Sequence, residues 1–268
     1  RASINTDVPM VIEVEFDNRP RPTAKPTPKR RRPPRVSTRL NADDVERLFT
    51  AYGRARLMGF EWTAFLTVAW ATLGIVTDEQ VSAATASLTN RLREWATRSK
   101  HVSGLPGIPI GWVWVHERGP LCGKLHTHFL LAVPRKKRAM LGRVVLDHVE
   151  KISGVKATHR AAGVVKTAPD ANECPSGVSE GVGPDFKTAV GGFSTTLHIT
   201  AAKTDKDAKT FGAKHMRYLA KGIDPSDSIR LTNGARISLT DWVGIDHLAD
   251  QGVIRGKRCG YSVFSLGG

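Results

Sequence analysis

Two runs rich in β-branched and aromatic residues, 109–117 and 124–133, are separated only by Arg118-Gly119-Pro120-Leu121-Cys122-Gly123. A turn-forming hexapeptide between two strand-forming runs specifies an antiparallel β-hairpin, so a sheet must lie at the centre of the fold. The second run contains Leu125-His126-Thr127-His128-Phe129-Leu130-Leu131. Alternate side chains of a strand share a face, so His126 and His128 point the same way, with Cα atoms ~6–7 Å apart. Two imidazoles at that spacing can lean onto one divalent cation. The hairpin brings either Glu117 or His116 opposite His126 as a third ligand. The register decides between them, because a slip of one residue exchanges the faces. The plainer reading is a pair of polar residues on a solvated sheet face.

The rest of the chain supplies helices around that hairpin. Asn41 before Asp43 and Asp44 marks a helix start, with Val45, Leu48, Phe49 and Tyr52 on one face. Residues 60–73 read as a buried strand. Thr77 with Gln80 forms a capping-box pattern, and Val81, Ala84, Leu88, Leu92 and Trp95 line the helix after it. A third helix opens at 135–138, turns Leu141, Val145, Val149 and Ile152 inward, and closes at Gly154. Residues 155–192, rich in Gly, Ala and Ser, read as a long insertion. A strand over 194–200, a helix over 205–222 and a second hairpin around Asn233-Gly234 follow. This order predicts an α+β fold with a central, mainly antiparallel sheet flanked by helices, close to the ferredoxin-like split βαβ theme.

Charge points to the partner. The chain of 268 residues carries a formal net charge of +15. Residues 19–35 hold eight basic residues, six prolines and no acids, a composition that cannot build a helix or bury a core. Residues 1–36 therefore read as a mostly disordered basic arm, either a phosphate grip with Arg30, Arg31 and Arg32 as contacts or a solubilising tail. Residues 37–268 read as one domain, with a basic extension over 226–268 packing onto it. The arm contributes +5 (nine basic, four acidic), which leaves +10 on the body. A polyanion, nucleic acid first, is the expected partner, and a calcium-buffering surface is excluded. No apolar run approaches the ~18–20 residues that span a bilayer, and no secretory leader is visible, so no membrane partner is expected. Three cysteines without C-x-x-C spacing exclude a disulfide scaffold and fit a reducing cytoplasm. Trp112 and Trp114 share a strand face; core packing is the plainer role for them and base stacking the alternative. Residues 119–124 and 252–257 each fall one residue short of a phosphate-binding loop, so no NTPase motor is visible.

The last feature is Tyr218 with Lys221 on one predicted helix, where positions i and i+3 are neighbours. A cation beside a phenol favours its ionised form. The plainer reading is a core tyrosine beside a solvated lysine. Of the three tyrosines, Tyr52 belongs to an apolar helix face and Tyr261 to the C-terminal tail, so if a tyrosine nucleophile exists here Tyr218 is the best placed.

Taken in order, three motifs stand out. They are Phe65-Leu66-Thr67-Val68-Ala69-Trp70, then Glu117 nine residues before His126-Thr127-His128, then Tyr218-Leu219-Ala220-Lys221. This resembles the motif series of single-tyrosine HUH endonucleases, specifically rolling-circle replication initiators of bacterial plasmids and filamentous phages. The ending Gly256-Lys257-Arg258-Cys259-Gly260-Tyr261-Ser262 also resembles the tail of many such initiators, and Lys257 and Arg258 would be its DNA contacts. The resemblance spans about residues 60–265. Thr127 departs from the bulky apolar residue usual between the two histidines, and the gap from His128 to Tyr218 is long.

The resemblance implies metal-assisted nicking and rejoining of single-stranded or hairpin origin DNA. Glu117, His126 and His128 would hold Mn²⁺ or Mg²⁺, Tyr218 would form a 5′-phosphotyrosyl intermediate, and Lys221 would steady charge beside it. Duplex unwinding would fall to a host helicase. Thr67 belongs to the first motif but gains no chemical role from the sequence. His198 and His215 are further histidines within reach of such a site. The alternatives are a transposase or relaxase of the same chemistry, although relaxases place the tyrosine before the histidines, or a non-catalytic basic nucleic-acid-binding protein.

Overall fold

The computed structural model describes residues 36–99, 107–119, 123–156, 159–161, 197–231, 233–245 and 247–264. In chain order the elements are β1 (Val36–Ser37), α1 (Ala42–Leu57), β2 (Trp62–Ala69), α2 (Asp78–Arg98), β3 (Ile110–Arg118), β4 (Leu125–Ala132), α3 (Arg138–Ser153), β5 (His159–Ala161), β6 (Leu197–Ala201), α4 (Asp205–Leu219), β7 (Ser228–Arg230), β8 (Arg236–Ser238), α5 (Leu239–Val243), β9 (Ile254–Arg255) and β10 (Cys259–Phe264). The arm through residue 35, with Arg30, Arg31 and Arg32, lies outside the described residues. So do Cys122, Cys174 and the 155–192 insertion apart from 155, 156 and 159–161.

Local chemistry sets the helix boundaries. Asn41 caps α1 by accepting the Asp44 backbone N–H at 2.9 Å. Thr77 and Gln80 form the full capping box at the start of α2, and Thr204 with Asp207 forms another at α4. Gly154 ends α3 in the left-handed conformation, φ 68°, which a side chain would strain.

A six-stranded sheet in the order β10-β3-β4-β2-β6-β5 forms the centre, antiparallel throughout except for the β5–β6 pair. The fold is α+β, with this sheet flanked by helices. On one face α2 and α3 bury Leu88, Leu92, Leu141 and Val145 against Leu66, Val68, Trp112 and Phe129. On the other, α1 and α4 bury Leu48, Tyr52, Met216 and Leu219 against Phe65, Val113, Val115 and Leu130. Coverage on both faces leaves β2 with hardly an exposed residue, so it reads as a mainly apolar run, broken only by Thr63 and Thr67, rather than an alternating one. Trp112 and Trp114 are both buried, as core packing requires.

Several boundaries differ from the sequence reading. The 60–73 run is strand only to Ala69, and a 3₁₀ turn over Trp70–Leu73 then swings the chain off the sheet. The 205–222 helix is α-helical to Leu219 and tightens to a 3₁₀ turn over Ala220–Gly222. Residues 159–161, expected within an unstructured insertion, form an edge strand parallel to β6. The C-terminal segment contributes β9, paired with β1, and β10, paired along its whole length with β3. Among the described residues no helix is long and apolar enough to cross a membrane.

Candidate active site

The β3–β4 register settles the question left open by the hairpin. Glu117 stands directly opposite His126, and Val115 opposite His128, so Glu117, His126 and His128 share the face covered by α1 and α4. His116 falls on the other face, 1% exposed. Its Nδ1 lies 2.7 Å from Thr127 Oγ1, and that hydroxyl also accepts the Trp70 indole N–H. Burial, then the charges of Arg258 and His128, pushes the His116 imidazole down to about 3. It is a neutral core group facing away from the histidine pair.

Glu117 is the hub of the site. Its Oε2 lies 3.1 Å from His128 Nε2, and its Oε1 lies 2.9 Å from Lys221 Nζ. Burial alone would raise this carboxyl. The His128 hydrogen bond, the His128 charge and the Lys221 ammonium outweigh it and hold Glu117 at about 2. Burial opposes the Lys221 charge, but Glu117 reverses that and raises the ammonium above its usual range. Both ends of this buried pair are therefore ionised at neutral pH.

The His126 ring lies 6.4 Å from the His128 ring, centroid to centroid, and the two planes differ by 22°. Burial and the nearby His128 lower His126 to about 4, so it is a neutral imidazole at pH 7. It hydrogen-bonds to none of the described residues, which leaves its ring nitrogens available.

Helix α4 delivers the phenol. Phe211, His215 and Tyr218 follow one another at helical spacing; His215 and Tyr218 pack on Phe65 of β2, and Phe211 packs on His215. The Tyr218 ring meets His128 edge-on, with centroids 5.4 Å apart at 88°. Lys221 Nζ lies over the Tyr218 ring, 4.1 Å from its centroid. The 3₁₀ turn carrying Lys221 is pinned at two carbonyls: Ala249 N–H donates to Lys221 and Leu40 N–H donates to Gly222. His215 donates Nδ1–H to its own helix at Phe211 O, and burial lowers its imidazole. His198 is exposed on β6, across from Thr67.

Two imidazoles and a carboxylate on one face match a divalent cation in donor type, as a mixed N/O set suited to Mn²⁺ and tolerant of Mg²⁺. As they lie, Glu117 and His128 are joined by a hydrogen bond, and among the described residues no three His, Cys, Asp or Glu side chains meet around a common point. Cation binding therefore requires His128 Nε2 to exchange its Glu117 hydrogen bond for the metal.

Arg258 needs correcting as a DNA contact. It is 3% exposed, and its guanidinium donates to Ser37 Oγ at 3.0 Å, to Ser37 O at 2.6 Å and to Gly252 O. Burial lowers it to about 10. Its neighbour strand β10 lies along β3, so the side chain points into the body and clamps β1 to the C-terminal segment. The composition offered no sign of this, since a basic pair in a glycine-rich tail reads as surface. Lys257 is exposed, its Nζ 5.7 Å from the Trp114 ring centroid, and stays accessible to phosphate. Thr67, which the sequence left without a role, lies 2.9 Å from His128 Nδ1 through its hydroxyl.

No family model matches the chain, and no curated protein or solved structure matches it.

Proposed function

We propose that this chain is a metal-dependent single-tyrosine endonuclease and strand transferase of the HUH type, acting as a rolling-circle replication initiator on single-stranded origin DNA. The observation that carries the reading is the contact of the Tyr218 ring with His128, on the face that also bears Glu117 and His126. The three ordered motifs and the net charge of +15 support it.

Glu117, His126 and His128 would hold Mn²⁺ or Mg²⁺. Such an ion, when bound, supplies Lewis-acid polarisation of the scissile phosphate. Tyr218, fixed edge-on against His128 and Phe65, presents its hydroxyl from the last turn of α4 for in-line attack on phosphorus. As the Oη–P bond forms the P–O3′ bond breaks, leaving a 5′-phosphotyrosine and a 3′-OH that carries the proton the phenol gave up. Attack by a 3′-OH on the phosphotyrosine reverses these bonds, so rejoining needs no nucleotide cofactor. Lys221, held by Glu117 and by the ring, offsets negative charge gathering on the phosphate. Lys257 and the basic body contribute salt-dependent phosphate contacts.

The test is incubation of the full chain with end-labelled single-stranded oligonucleotides and Mn²⁺, followed by denaturing electrophoresis. The proposal expects an SDS-resistant protein–DNA band that EDTA and Tyr218→Phe both abolish. A mobility shift under native conditions without any such band supports a non-catalytic binding protein instead.

A further inference from the structure

We infer that Thr67 is the positioning residue that allows His128 to alternate between its Glu117-bonded form and a cation-ligating form. The inference rests on the cation site proposed above and assigns a residue to it. Thr67 sits mid-strand in β2, directly across from His128 in β4, with its Oγ1 2.9 Å from His128 Nδ1. The other ring nitrogen, Nε2, lies 3.1 Å from Glu117 Oε2. Both nitrogens of one imidazole are thus engaged, by chemically different partners.

The proton count follows from those partners. Glu117 pairs its Oε1 with the Lys221 ammonium at 2.9 Å, and a carboxylate so paired can only accept at Oε2, so Nε2 carries the hydrogen that it donates there. In a neutral ring Nδ1 is then a bare acceptor, and the Thr67 hydroxyl must donate to it. For Nε2 to act as a ligand its lone pair must be free, so the ring proton must sit on Nδ1. Thr67 Oγ1 then has to accept where it previously donated. A hydroxyl carries one hydrogen and two lone pairs and can do both by rotating. A carbonyl or carboxylate at the same place could serve only the second state, and an amide N–H only the first. Ligating histidines hold their orientation through such a bond on the non-ligating nitrogen, and loss of it weakens metal sites. The β-branched side chain fixes Oγ1 at that spot at little further entropic cost, because its χ1 is already restricted.

The inference is tested on the full chain by calorimetric Mn²⁺ titration of wild type, Thr67→Val and Thr67→Ser. Thr67→Val keeps shape and removes the hydroxyl, and its Mn²⁺ affinity should fall about 10–100-fold. Thr67→Ser keeps the hydroxyl and should stay close to wild type. A second readout is the ¹⁵N spectrum of the His128 ring. Metal-free wild type should show the proton on Nε2. Saturating Mg²⁺, which is diamagnetic, should move it to Nδ1. In Thr67→Val the same Mg²⁺ concentration should leave it on Nε2. Wild type and Thr67→Val binding Mn²⁺ equally well would overturn the role of Thr67 while sparing the cation site. A metal-free His128 protonated on Nδ1 would also overturn it. A wild-type chain that binds neither ion overturns the cation site and this inference together.

Discussion

Glu117→Gln should be among the most destabilising single-atom exchanges in the molecule, and its cost should vanish in large part when Lys221 is also removed. The two groups lie 2.9 Å apart with side chains 5% and 10% exposed. Glu117 is held at about 2 and Lys221 is raised, so both are charged at pH 7. Removing one partner of a buried pair strands the other charge and typically costs ~3–5 kcal/mol. Glutamine retains an acceptor oxygen, which places the expected loss at the low end, about 3 kcal/mol. For a folded body of this size that is a melting shift of roughly 6–12 °C. Lys221→Met alone leaves Glu117 its bond from His128, so its cost should be smaller, about 2 kcal/mol on the same basis. The double variant no longer buries an uncompensated ammonium and should lie well above the sum of the two. Urea unfolding of all four proteins in EDTA at pH 7 completes the cycle. A coupling energy of at least about 2 kcal/mol is expected, whereas additivity within ~0.5 kcal/mol would refute a direct buried interaction.

Three further outcomes follow from the same geometry. His116 and His126 are buried neutral at about 3 and about 4, against 6.5 when unfolded. The unfolded chain therefore binds more protons below 6.5, and stability fully present above that pH should be lost as pH falls toward 4. A urea midpoint that stays flat from pH 7 to 4 would contradict this, and His116→Gln should flatten part of the slope. Lys257→Ala should weaken single-stranded DNA binding and reduce the salt slope by about 0.7, with no loss of stability, whereas Arg258→Ala should lower the melting temperature outright. Parallel salt titrations and melts of the two variants separate these effects. A Cβ added at Gly260 would meet the Trp114 ring at 2.6 Å, so Gly260→Ala should cost ~1–3 kcal/mol by calorimetry, and an unchanged melt would show that β10 can shift away from β3.

The hairpin, both early helix caps and the shared face of His126 and His128 were legible because each depends on neighbours in sequence: turn composition, capping spacing, strand period. The choice of Glu117 over His116 was not, since alternation leaves the register free until the strands are paired. Thr67 and Arg258 were illegible for a related reason. A threonine inside a buried strand reads as a good strand former, and only the pairing of β2 with β4 sets its hydroxyl against His128. An arginine in a glycine-rich segment reads as solvated, and only β10 folding back along β3 drives it into the body. Lys221 was placed correctly beside Tyr218 in sequence, yet the tightening of the last helical turn carries its ammonium over the ring and onto Glu117.

The central claim is that Tyr218 is the nucleophile of a cation site built from Glu117, His126 and His128. Mass spectrometry of proteolysed adduct, formed by the full chain with randomised single-stranded oligonucleotides and Mn²⁺, tests it most directly. The account predicts a nucleotide mass on the peptide containing Tyr218 and on no other tyrosine. A nucleotide found on Tyr52 or Tyr261, or no covalent nucleotide at all while DNA is cleaved, would contradict it.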